Sequence, residues 1–126
     1  MKVSIISPVF NSSSMLEELV QRINKTMDNL NLQNNYELVL INDASKDDSW
    51  KIIVNLVKKF SFVKGINLKE NFGQHNAIMA GLNNCTGEFI ITIDDDLQHP
   101  PEFISDILNK LKTNDVCYTN YRNRKH

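Results

Sequence analysis

No run of apolar residues in this sequence approaches the ~20 needed to cross a bilayer, and the apolar stretch that follows Lys2 is cut short by Pro8. A secretory leader is therefore not expected, nor is any membrane hold through these residues. Charge of one sign is also missing. Lys and Arg total 14 against 15 Asp and Glu, a net −1, which excludes the strongly basic footprint of a nucleic-acid binder. Cysteine is scarce: Cys85 and Cys117 form no close-spaced metal or redox motif and read as core thiols in a reducing compartment. His75 and His99 lack metal-ligand spacing and read as surface or supporting residues. With only four glycines, no phosphate loop of the P-loop or dinucleotide type follows the first apolar run, and no G-x-S-x-G elbow is present. Repeats and low-complexity segments are absent. What remains is an ordinary globular composition, 41% apolar and 23% charged, in a length that suits one domain, residues 1–126.

The chain is organised around residues 87–102, Gly-Glu-Phe-Ile-Ile-Thr-Ile-Asp-Asp-Asp-Leu-Gln-His-Pro-Pro-Glu. Its apolar, β-branched start reads as a strand buried on both faces. Pro100 and Pro101 forbid continuation and can open a helix. Asp94, Asp95 and Asp96 thus stand together at the carboxyl end of a buried strand, where open α/β sheets bind ligands. Carboxylates packed so closely raise one another's pKa unless a positive charge joins them. A solvated acidic turn would have the same composition. A divalent cation, Mg²⁺ or Mn²⁺, is the more economical reading, since such ions join one or two carboxylates to substrate phosphates. A calcium loop of the EF-hand type is excluded: its sixth position needs Gly and holds His99, and its twelfth needs Glu and holds Ser105.

Around that stretch the periods alternate. Residues 3–10 read as a strand stopping at Pro8, followed by Asn11-Ser12-Ser13-Ser14, good helix caps. Met15, Leu16, Leu19, Val20, Ile23, Met27 and Leu30 recur at helical spacing. Residues 37–41 form a second buried strand ending at Asn42-Asp43, and the next helix should turn Trp50, Ile53, Val54, Val57 and Phe60 inward. Residues 63–68 read as a third strand. Ala77, Ala80 and Gly81 give the following helix a small-residue face suited to close packing on a sheet. After the organising strand come a helix bearing Phe103, Ile104, Ile107, Leu108 and Leu111, a short strand Val116-Cys117-Tyr118-Thr119, and a basic tail. Strict β-α alternation with short loops predicts an α/β fold: a mostly parallel sheet of about five strands, helices on both faces, and right-handed crossovers. The polar residues that need explaining all follow strand ends, so they converge on one edge. Asp43 reads either as a turn starter or as an acceptor for a nucleobase N–H or ribose hydroxyl. Phe10 reads as a core aromatic or as the wall of a base pocket. Asn71 and Gly73 could cap a helix or let backbone approach a sugar or phosphate. Gln98 could complete a metal shell or cap a helix.

The stretches Ile5-Ile6-Ser7-Pro8-Val9-Phe10-Asn11, Leu40-Ile41-Asn42-Asp43-Ala44-Ser45-Lys46-Asp47, Asn71-Phe72-Gly73-Gln74-His75, Met79-Ala80-Gly81-Leu82 and residues 94–102 together resemble family 2 glycosyltransferases of the GT-A fold. The branch they look most like is the polyprenyl-phosphate glycosyltransferases, such as dolichyl-phosphate mannose synthase and its bacterial undecaprenyl-phosphate relatives. The resemblance covers nearly the whole chain. It implies a Rossmann-like nucleotide-binding half, with Pro8, Phe10, Asn11 and Asp43 lining the nucleoside pocket. It implies that Asp94 and Asp96 are the metal-binding pair of a D-x-D motif, with Gln98 near the metal, Asp95 near the ribose, and Asp96 carrying catalysis through the ion. The implied reaction is inverting transfer of a sugar from a UDP- or GDP-sugar donor to a polyprenyl phosphate or a cell-surface glycan.

Departures from the family pattern are specific. Ser12 stands where an acidic residue is frequent, Asn42-Asp43-Ala44-Ser45 where Asp-Asp-Gly-Ser is frequent, and Glu70 where Arg often precedes Asn-Phe-Gly. Tyr121 falls where relatives often carry Arg, with Arg122 and Arg124 beside it as candidate phosphate ligands. The family's catalytic domain is longer, so residues 1–126 are expected to be its donor-binding part, ending before the acceptor half. Membrane association, at the cytoplasmic face, would come through further carboxyl-terminal segments or a partner. A hydroxyl acceptor needs a general base, for which the sequence offers only Asp106 and Asp115 after the acidic cluster. A phosphate monoester, with its second pKa of about 6, needs none. Two rival readings stand beside this one. A sugar-nucleotide pyrophosphorylase would want a Gly-, Arg- and Lys-bearing loop where Asn11-Ser12-Ser13-Ser14 stands. A non-catalytic nucleotide- or partner-binding module would keep the pocket without turnover.

Overall fold

The computed structural model describes residues 1–98 and 100–111. Its elements run β1 (Val3–Val9), α1 (Leu16–Asn29), β2 (Tyr36–Asp43), α2 (Ser49–Lys59), β3 (Val63–Leu68), α3 (Gln74–Asn83), β4 (Phe89–Thr92), a 3-10 turn (Pro101–Phe103) and α4 (Ile104–Leu111). The four strands form one sheet in the order β3-β2-β1-β4, every pair parallel. This is the alternating α/β architecture that the periodicity predicts. The expected fifth strand at 116–119, with Cys117, lies outside the described residues.

Period-2 alternation sorts the two central strands between two cores. Val3, Ile5 and Val9 of β1 and Tyr36, Leu38 and Leu40 of β2 face α1, α2 and α4, meeting Leu16, Leu19, Ile23, Met27, Ile53, Leu56, Ile104 and Leu108. Ile6, Val39 and Ile41 face the other way, onto Ala77 of α3. Each fully buried Ile or Leu here stabilises by roughly 1.5–3 kcal/mol relative to exposure. The small-residue face of α3 is used as expected. A Cβ on Gly81 would stand 2.6 Å from Ile6 Cγ2 and 2.9 Å from Ile41 Cδ1, so only Gly lets the helix lie this close.

Three local expectations are revised. β1 does not stop at Pro8 but runs to Val9, with Pro8 opposite Ile41 of β2. The even residues of β1 direct their backbone groups toward β4, as Ile6 does when its carbonyl accepts from Ile93 N at 2.9 Å. The β4 ladder ends at Ile6 opposite Thr92, so the missing N–H of Pro8 leaves no ladder bond unmade. The hydroxyls of residues 12–14 do not cap α1: the cap position is Met15, without a side-chain cap bond. In α2 the buried residues are Ser49, Ile53 and Leu56, whereas Val57 is exposed. Elsewhere the punctuation works as read, with Pro101 at the first position of the 3-10 turn that leads into α4.

At the amino-terminal edge of the sheet the strands are locked by a buried acid. Glu37 of β2 is only 3% exposed. Its carboxylate accepts from Ser4 Oγ at 2.5 Å, Thr86 N at 2.6 Å and Thr86 Oγ1 at 3.1 Å, and pairs with Lys64 Nζ of β3 at 2.5 Å. Ser4 Oγ in turn accepts from Gly87 N at 2.7 Å. A Cβ on Gly87 would fall 2.5 Å from Ser4 N, so Gly is required for β4 to enter beside β1. Burial pushes the Glu37 carboxyl up, but the bonds from Lys64, Ser4 and Thr86 outweigh it and hold it down to about 2, below its ordinary 4.5.

A carboxyl whose folded pKa is depressed contributes stability that is fully present above its unfolded pKa and is lost as pH falls toward the folded value. The melting temperature is therefore expected to fall between about pH 4.5 and pH 2. Glu37→Gln should cost roughly 1.5–3 kcal/mol at neutral pH, the worth of a hydrogen bond to a charged group, and should flatten that acid limb. Thermal melts across the range check both; an unchanged limb in the variant would contradict the assignment.

Candidate functional site

All four strands point their carboxyl ends the same way, and there the chain opens a solvent-accessible cleft of about 180 Å³, lined by Pro8, Val9, Phe10, Asp43, Gln74, Asp94, Asp95 and Asp96. Residues up to 88 positions apart in sequence meet because the register demands it. Six of the residues picked from the sequence line this cleft: Pro8, Phe10, Asp43, Asp94, Asp95 and Asp96. Phe10 is 46% exposed, far too open for a core aromatic. Asp43 is 4% exposed and its Oδ1 accepts from Phe72 N at 3.1 Å, tying the end of β2 to the loop before α3.

The acidic residues are held in different ways. Asp94 Oδ1 accepts from Gln74 Nε2 at 3.3 Å. Asp96 Oδ1 accepts from Gln98 N at 3.1 Å across Leu97, which takes a left-handed φ of 59°. Asp95 Oδ2 accepts from Phe10 N at 2.9 Å and Ser12 Oγ at 2.5 Å. Burial pushes the Asp95 carboxyl up, against those two bonds, and the neighbouring Asp96 charge adds to the rise. The segment beyond is anchored by Arg22 of α1, whose Nη2 and Nε reach the two carboxylate oxygens of Glu102 at 2.6 and 3.3 Å.

Asn11 and Gln98 are not among the lining residues. Asn11 sits at φ 51° and stitches two loops together: its N donates to Ser45 Oγ at 3.0 Å and its Oδ1 accepts from Lys46 N at 2.8 Å. Ser12 N donates to Ser49 Oγ at 3.0 Å and Ser13 N to Asp47 Oδ2 at 3.1 Å. The bonds that Asp47 receives from Ser49 and Ser13 hold its carboxyl down to about 2. Ala44 adopts φ 57°, the left-handed conformation that Gly takes without cost, which accounts for Gly being frequent there in the resembling family. Gln98 is exposed and reaches Asp96 through its backbone. His75 is exposed. Arg122 and Arg124 lie outside the described residues. Sequence reading missed Gln74 as a lining residue, although it stands in the quoted Asn-Phe-Gly-Gln-His stretch. It also missed the bracing by Ser12, Ser45, Ser49 and Asp47, because hydroxyl-rich loops show no partner until folded.

Among the described residues no three His, Cys, Asp or Glu side chains form a metal-holding group. The donor set that does exist, Asp94 and Asp96 at one cleft, suits an ion that takes one or two protein carboxylates and fills its shell with phosphate and water oxygens.

Comparison with known proteins gives a consistent result. Residues 4–126 match the family model described as glycosyl transferase family 2. The chain is 41% identical over 126 residues to the undecaprenyl-phosphate 4-deoxy-4-formamido-L-arabinose transferase of Klebsiella pneumoniae (strain 342), covering 98% of this chain and 38% of that protein. It is 47% identical over 109 residues to the transferase of the same name from Shewanella sediminis (strain HAW-EB3), covering 86% and 32%. The chain thus spans about a third of the length of these relatives. Among solved structures, the mannosyltransferase PcManGT from Pyrobaculum calidifontis, in complex with GDP-Man and Mn²⁺, superposes with a TM-score of 0.75 at 21% identity, over 87% of this chain and 32% of that one. S. aureus TarS 1-349 in complex with UDP-GlcNAc gives 0.66 at 23% identity, over 87% and 32%. At those identities the likeness is one of fold.

Proposed function

Because the chain belongs to glycosyl transferase family 2, we propose that it is the donor-binding half of a transferase that moves a sugar from a nucleoside-diphosphate sugar to a polyprenyl phosphate. The observation that carries this is the convergence of Phe10, Asp43 and Asp94–Asp96 from three strand ends into one cleft. Phe10 offers an exposed ring on which a base can stack, worth ~1–3 kcal/mol. Asp43 accepts a base N–H or ribose hydroxyl. Pro8 walls the pocket, and Asn11 holds its rim by bracing the loops after β1 and β2. Asp95 stands between the base side and the acidic side of the cleft.

Asp94 and Asp96 would hold Mg²⁺ or Mn²⁺; Gln98 does not line the cleft and bonds Asp96 through its backbone N, so it would join the ion only by turning its side chain inward. When bound, such an ion neutralises charge developing on the leaving nucleotide. Since no three-carboxylate group is formed among the described residues, the ion depends on the donor's diphosphate for its remaining ligands, so metal and nucleotide should bind cooperatively. Relatives named as undecaprenyl-phosphate transferases and neighbours holding GDP-Man or UDP-GlcNAc support a UDP- or GDP-sugar donor and a polyprenyl-phosphate acceptor. Asp106 is exposed on α4 and does not line the cleft, and Asp115 lies outside the described residues, so among the described cleft-lining residues only Asp43 and the acidic cluster could act as a base. A phosphate monoester needs none, being largely ionised near neutral pH. No helix among the described residues is long and apolar enough to cross a membrane. The whole protein would meet its lipid acceptor at the cytoplasmic face of the membrane through other segments or a partner, and Arg122 and Arg124 are proposed as phosphate ligands there.

Two variants test the reading by calorimetry with UDP and GDP, with and without Mn²⁺. Asp96→Ala should abolish the Mn²⁺-dependent part of nucleotide affinity while leaving the fold, checked by circular dichroism, intact; an unchanged Mn²⁺ effect would remove the metal role. Asp43→Ala should weaken binding about tenfold, from loss of one charge-assisted hydrogen bond, with the Mn²⁺ dependence preserved. Affinity within about twofold of wild type would leave Asp43 a turn residue.

A further inference from the structure

The three consecutive carboxylates are not equivalent. The middle one turns its Oδ2 to the exit of β1, 2.9 Å from Phe10 N and 2.5 Å from Ser12 Oγ. Ser12 is 8% exposed, does not line the cleft, and is fixed from behind by Ser49 Oγ, 3.0 Å from its backbone N. The backbone ladder between β1 and β4 pairs only Val3–Ile6 with Phe89–Thr92 and closes with Ile93 N on Ile6 O. Past that point no ladder pairing joins the two strand exits among the described residues, and the bonds at Asp95 link them. Phe10 lies on one side of that bridge; Asp94 and Asp96 lie on the other.

We propose that Asp95 is a positioning residue: through Ser12 and Phe10 N it sets the separation between the aromatic wall and the Asp94–Asp96 pair, and it does not act by touching the ligand. The proposal rests on the reading of the cleft as a nucleoside-diphosphate site. A ligand held by its base at Phe10 and by its diphosphate near Asp94 and Asp96 is measured against that separation, and misplacement by about 1 Å can cost as much as ~100-fold in function. Ser12 has the right chemistry for the task, because a hydroxyl can donate to the Asp95 carboxylate, whereas a carboxylate at the same place would repel it.

A double-mutant cycle decides the matter: wild type, Ser12→Ala, Asp95→Asn and the double variant, with Ser12→Thr as the conservative control, each titrated with UDP and GDP in Mn²⁺ and melted in parallel. Ser12→Ala is the deciding member, since it leaves Asp95 its bond from Phe10 N and removes a hydroxyl that does not itself line the cleft but bonds Asp95 and lies 3.1 Å from Phe10 O. The expected result is a loss of about tenfold in nucleotide affinity for Ser12→Ala and for Asp95→Asn, no further loss in the double variant, and affinity within about twofold of wild type for Ser12→Thr. Loss in Asp95→Asn with Ser12→Ala unaffected would make Asp95 a direct ligand contact and overturn the proposal. Additive losses, or lowered melting temperatures with unchanged affinities, would overturn it too. If the wild type bound neither nucleotide, the reading of the cleft would fail first, and this inference with it.

Discussion

Parallel pairing of β1 with β2 on one side and β4 on the other is the constraint on which the rest depends. In the shared register, Val9 stands opposite Asn42 and Ile6 opposite Thr92. Those pairings deliver Phe10, Asp43 and Asp94 to one edge without any of them having to reach. A one-residue slip of β1 would turn Ile5 and Val9 out of the larger core and Ile6 into it. The small face of α3 would then lose the seat that Gly81 takes on Ile6. Core and cleft are therefore fixed by the same alternation of side chains.

The two edges of the sheet treat carboxylates in opposite ways. At the amino-terminal edge Glu37 is buried, paired with Lys64 and given hydrogen bonds by Ser4 and Thr86, so its charge is satisfied internally and closes the strands together. At the carboxyl edge three carboxylates are crowded in sequence at an open cleft, Asp94 held by Gln74, Asp95 by Phe10 N and Ser12, and Asp96 by Gln98 N. The arrangement sets like charges side by side with no basic side chain among the described cleft-lining residues, as a site for an external cation requires, while stability is drawn from the opposite edge and the two cores.

Much of this was legible in the sequence because it rests on period. The short apolar runs at residues 3–10 and 37–41, the helical stripe through Leu16, Leu19, Ile23 and Met27, and the Pro pair after the acidic run were sufficient to place the elements and converge the strand ends. Asp43 and residues 94–96 could be chosen because they terminate apolar strands. The rest depends on partners distant in sequence. Continuation of β1 through Pro8 depends on where the β4 ladder ends. The bonding of Asn11 to Lys46 and of Ser12 to Asp95 depends on which loops face each other, and hydroxyl-rich residues that could cap a helix locally were claimed by those tertiary contacts instead. Glu37 looked like an ordinary polar residue opening a strand, since its partners Lys64 and Thr86 are brought to it only by the sheet order.

The central claim is that a metal-dependent nucleotide site occupies the carboxyl edge formed by β1, β2 and β4. Its most direct measurement is paramagnetic broadening of backbone amide signals when Mn²⁺ is added to the isotopically labelled protein together with UDP or GDP. The account predicts that broadening is strongest at residues 94–98, extends to Phe10, Asp43 and Gln74, requires nucleotide for its full extent, and spares Thr86 and Gly87 at the opposite edge. Broadening centred elsewhere, or none at residues 94–98, would contradict it.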